Sequence, residues 1–160
     1  MVKKRHTLPF YLACALTILI ALAVLSYLAY TLHLRTEYKA FAEEVNDVIL
    51  SVPAGDCTVE RSGQVWRADA ALLDHYDRFL LLGNVNVVSR RGMADNSETI
   101  TIRAGDSALS FTPADSEGGI ALRWDTPQGS RTYTVYAQKT AFSQLSARFS
   151  SYARQHEPIS

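Results

Sequence analysis

The sequence predicts a single-pass membrane helix joined to a small α+β domain, an antiparallel β-meander sheet packed by amphipathic helices. Three observations carry this. A run from Phe10 to Tyr30 holds no Asp, Glu, Lys, Arg or His. Short alternating segments separated by tight turns fill the second half of the chain. Helical apolar stripes flank those segments on both sides. The domain boundaries that follow are a cytoplasmic stub at 1–8, a transmembrane helix at 9–33, a juxtamembrane amphipathic helix at 34–53 and an extracytoplasmic α+β domain at 54–160.

A bilayer core of roughly 30 Å takes about 20 helical residues to cross, and the apolar run is long enough. Lys3, Lys4 and Arg5 precede it directly. All 16 acidic residues of the chain lie after Arg35, with 12 of the 16 basic ones, so that part carries a formal −4. Positive charge beside a span prefers the cytoplasm, which predicts a cytoplasmic N-terminus and an outer C-terminal domain at the cell membrane. Tyr11, Tyr27 and Tyr30 fall near the two boundaries, where aromatic rings favour the headgroup region. A cleavable signal sequence would need its apolar core to end at Ala21-Leu22-Ala23, and Val24 to Leu28 continue it. A lipid-modified Cys14 would need more apolar residues before it. A buried soluble helix fits poorly with a stretch free of charge from Thr7 to Leu32.

Beyond the span, Leu34, Tyr38, Phe41, Val45, Val48 and Val52 step by four and three along one helical stripe. Pro53 and Gly55 stop it. The stripe has two readings. It is a seam for a second helix, or it packs on the domain's own sheet. It lasts under three heptads without consistent flanking charge, and Ile49 and Leu50 broaden it, which favours the sheet.

In the outer domain, Cys57–Arg61 and Gln64–Ala68 flank Ser62-Gly63 as a hairpin. Asp69 reads as an N-cap for a helix whose face is Leu72, Leu73, Tyr76, Phe79 and Leu80, ending near Gly83. Five strands follow, at Val85–Arg90, Thr99–Arg103, Ala108–Thr112, around Ile120–Trp124 and across Tyr133–Ala137. Their short connections predict a five-strand antiparallel meander. A last helix from about Thr140 to Gln155 presents Phe142, Leu145, Phe149 and Tyr152.

Chemistry is sparse. Cys14 sits in the span and Cys57 outside it, so they cannot bridge within one chain. Cys57 is then either an intermolecular disulfide former or a small buried residue. His6, His33, His75 and His156 are scattered, and none has metal-ligand spacing to a second donor. The acidic loops 95–98 and 115–118 lack calcium-loop spacing. The arginines, Arg90-Arg91 among them, are spread through an acidic domain, which argues against nucleic acid. No nucleophile elbow or phosphate loop occurs. No cofactor or metal is expected.

The expectation is a membrane-anchored, non-enzymatic protein whose outer domain binds a protein partner or a second copy. Leu34, Tyr38, Phe41, Val45, Val48 and Cys57 are the candidate interaction residues, and the lipid bilayer is the other partner. An outer ligand-sensing module is the alternative, with Trp66, Trp124, Tyr133 and Tyr136 around a pocket. An enzyme would need carboxylates and a histidine converging in a cleft.

Overall fold

The computed structural model describes residues 7–81, 85–89, 98–114, 119–137 and 142–159. The predicted cap at Gly83, the Arg90-Arg91 pair, residues 95–97 and the loop 115–118 lie outside them. The chain divides into two compact units, Met1–Thr36 and Glu37–Ser160.

One α-helix, α1, runs without a break from Thr7 to Ser51. From residue 9 to residue 30 its apolar side chains are exposed, among them Leu19, Leu25 and Tyr27. Its most apolar stretch has a mean hydropathy of 2.5, so the helix is long and apolar enough to cross a membrane. The 21 residues from Phe10 to Tyr30 alone rise about 31 Å.

The second unit is built on a seven-stranded antiparallel sheet ordered β2-β1-β4-β5-β6-β7-β3. β1 (Thr58–Arg61) and β2 (Gln64–Arg67) form a hairpin. Its two-residue loop has Ser62 at φ 52° and Gly63 at φ 78°. Positive φ at both positions matches the twist of the flanking strands, which is why a small polar residue and glycine stand there. β4 (Ile100–Ala104), β5 (Ser107–Pro113), β6 (Ile120–Thr126) and β7 (Gly129–Ala137) follow as a meander.

β3 (Val85–Ser89) departs from the predicted order. The sequence reading places it beside β4 as the first of five meander strands. It pairs instead with β7, at the opposite edge, and the meander has four strands. The physical reason is competition for one edge. β1 occupies the free side of β4 through the register Val59↔Ile102, so the only other edge of the meander is β7.

The helices cover one face. Alternation along the strands sends Val59, Ile102, Leu109, Leu122 and Val135 to that face, each at most 1% exposed. Over β7 lies α1, where Phe41 meets Tyr133 with ring centroids 4.7 Å apart. Helix α2 (Ala70–Leu81) brings Tyr76 to 5.1 Å from Phe111 of β5. Helix α3 (Phe142–Ala153) sets Phe149 edge-on to Trp66 of β2 at 5.1 Å. The first turn of α2 is closed by Asp69, whose Oδ1 accepts the Leu72 N–H at 2.7 Å. The result is a two-layer α+β domain with one continuous core.

Candidate functional site

With the helices on one face, the polar positions of the strands point to the other. Glu60 of β1, Thr101 and Arg103 of β4, Ser110 of β5, and Arg123 and Asp125 of β6 share it. They line a shallow open depression of about 460 Å³. The part of this face around Thr112, Ala121 and Thr134 is buried, so the accessible region lies toward the β1 hairpin and the β4–β5 turn.

Register decides which of these side chains meet. Thr101 stands opposite Ser110, and their hydroxyls lie 2.9 Å apart. Thr99 and Thr112 form a second hydroxyl pair at 2.9 Å. Arg103 sits diagonally from Glu60 and donates to its Oε2 from Nη2 at 3.1 Å. Arg123 Nε donates to Asp125 two residues along, at 3.0 Å to Oδ1. Arg103 and Arg123 are thus held by Glu60 and Asp125, and Asp106 of the β4–β5 turn also lines the depression. The accessible part offers held charges and the half-buried Thr101 hydroxyl, whose partner Ser110 is buried, which suits hydrogen bonding to a polar partner. Among the described residues the lining has no His, Cys, Lys or Tyr.

The sequence-predicted residues lie elsewhere. Tyr38, Phe41 and Val45 belong to the core cluster, with Val48 packed against it. Leu34 is buried as well. Cys57 is fully buried, and burial raises its thiol pKa, which keeps it protonated. Tyr38, Phe41 and Val45 are therefore covered within the domain's own core, while Val48 stays half-buried at its margin. Burial likewise pushes the Tyr38 phenol up, and its hydroxyl has no hydrogen-bond partner among the described residues. Trp66, Trp124 and Tyr133 are core residues rather than walls of an internal pocket.

The second face of α1 carries a contact that sequence reading missed. Arg131 of β7 pairs with Glu44 and places its guanidinium 5.6 Å from the Phe41 ring centroid. The Arg131 hydrogen bond holds the Glu44 carboxyl below its ordinary value. No sequence periodicity links residues 44 and 131, since the pairing depends on where α1 crosses the sheet.

His75 is half-buried on α2. Burial, then the Arg148 charge, lowers its pKa, so it is held neutral. His156 stacks on Tyr152 with centroids 4.0 Å apart, beside a groove of about 170 Å³ between α2 and α3. Among the described residues no group of three His, Cys, Asp or Glu is placed to hold a metal ion.

No family model, curated protein or solved structure matches this chain.

Proposed function

We propose that the chain is a membrane-anchored, non-enzymatic protein whose outer domain binds a protein partner through the accessible part of the open sheet face. The observation that carries this is the one-sided packing of the domain. Three helices bury one face of the sheet, and the part of the other face toward the β1 hairpin presents the Glu60–Arg103 and Arg123–Asp125 ion pairs to solvent beside half-buried Thr101. Mixed charge favours a partner of complementary polar character over an anionic polymer. The apolar N-terminal helix, inserted with its N-terminus in the cytoplasm, places the domain outside the cell membrane.

A photo-crosslinker at Arg103 or Asp125, compared with one at exposed Asp74 on α2, tests this in native membranes. The expected result is one protein adduct from the sheet positions and none from α2. Equal capture from both, or none from either, speaks against the reading. The alternative, a ligand-binding module, draws support from the 460 Å³ depression. In that case a polar small molecule would block the sheet face without any captured protein.

A further inference from the structure

We propose that the segment after α3 is a strap that guards the β2 edge, and that the edge beneath it pairs with β2 of a second copy of the chain. The inference concerns the rim of the sheet, not its open face, and stands whether or not that face binds a partner.

β2 is the first strand of the sheet order, with β1 on its inner side. Its outward carbonyls are those of Val65 and Arg67. The Ile159 N–H donates to Val65 O at 2.7 Å. The Tyr152 hydroxyl donates to Arg67 O. Residues two apart in a strand point their backbone groups to the same side, so these two contacts cap one continuous edge. One backbone hydrogen bond, from Ile159, already stands where an eighth strand would pair.

The strap is held at few points, by His156 stacked on Tyr152 and by the Ile159 N–H on Val65. Residues Arg154 to Ile159 are all exposed, and Ile159 keeps 54% of its surface accessible. The segment itself contributes one backbone bond to the edge, from Ile159, and the other cap, the Tyr152 hydroxyl, comes from the last turn of α3. A sheet edge capped so sparingly is a template for another strand whenever the cap lifts. The edge also matches itself. Antiparallel pairing about a two-fold axis at Trp66 sets Val65 opposite Arg67 of the second copy. Both then exchange N–H and C=O bonds. That register keeps the two Arg67 side chains from facing each other, so no like-charge pair opposes it.

The test uses the full chain in detergent. Tyr152→Phe with Ile159→Pro removes both donors, because proline has no N–H. The expected result is self-association at least about tenfold tighter than wild type. Adding Arg67→Pro, which takes an outward N–H from β2 without touching the β1 ladder, returns it to the wild-type value. Association unchanged by the double substitution overturns the proposal. So does enhanced association that survives Arg67→Pro, since it would use another surface. Ile159→Pro alone, at an exposed position, gives the same readout if the double variant folds poorly. If Arg67→Pro does not fold, amide exchange decides: Val65 and Arg67 must gain protection in the associated form.

Discussion

Glu44 and Arg131 join a helix to a strand 87 positions away in the sequence. Both side chains remain nearly half exposed, so solvent screens them and the pair stabilises the fold by about 0.5 kcal/mol. The sign with pH follows from the lowered Glu44 value. Its contribution is complete above the unfolded-state glutamate pKa and is lost as pH falls through the lower folded value. Denaturant titrations of wild type and Glu44→Gln should therefore differ at neutral pH and converge in acid. A gap that stays constant into acid would mean the carboxylate charge is irrelevant. Cys57 makes a second residue-scale case. Fully buried and held as the thiol, it should resist maleimide in the folded domain and react only on unfolding. Asp74→Cys, at an exposed position on α2, serves as the positive control. Rapid labelling of Cys57 under native conditions would show that β1 opens.

At the level of elements, what the sequence could express was face, and what it could not was neighbour. Alternation in Ile100, Ile102 and Ala104, or in Ile120, Leu122 and Trp124, marks the buried side of a strand because the side-chain period is two. The same signal says nothing about which strand lies alongside, so β3 reads as part of the meander although it pairs with β7. Local devices were fully legible. Ser62-Gly63 and Asp69 act on residues within three positions of themselves. The candidate site was the least legible part. Thr101 and Ser110 are unremarkable polar residues until the β4–β5 register brings their hydroxyls together. The strap on β2 depends on a single N–H, which no periodicity records. The stripe from Tyr38 to Val45 was visible, but helical spacing marks an apolar face without saying what covers it. The cap gives a test at this scale. Asp69→Ala leaves the Leu72 N–H without its acceptor and should cost about 1 kcal/mol, whereas Asp69→Asn or Asp69→Ser should recover most of it. Equal losses from all three would assign the effect to the charge of Asp69 instead.

For the whole molecule, the decisive quantity is the placement of charge around one apolar helix. Lys3, Lys4 and Arg5 stand before the run, and Arg35 and Lys39 stand after it. Both groups lie within the distance over which basic residues bias insertion, and acidic residues count for little there. The bias toward a cytoplasmic N-terminus is therefore only three basic residues against two. Replacing Lys3, Lys4 and Arg5 with glutamine removes one side of that balance and leaves Arg35 and Lys39 to act alone. The expected outcome is a mixed or inverted population, read as protection of the domain from protease added outside intact cells. Adding Arg35→Gln and Lys39→Gln removes the opposing bias and should reduce the inverted fraction. If the first variant keeps its domain wholly protease-accessible, flanking charge does not orient the helix, and folding of the outer domain after translocation must hold it in place. If the wild-type domain is already protected, the orientation proposed here is reversed, and the sheet face and the β2 edge meet cytoplasmic partners.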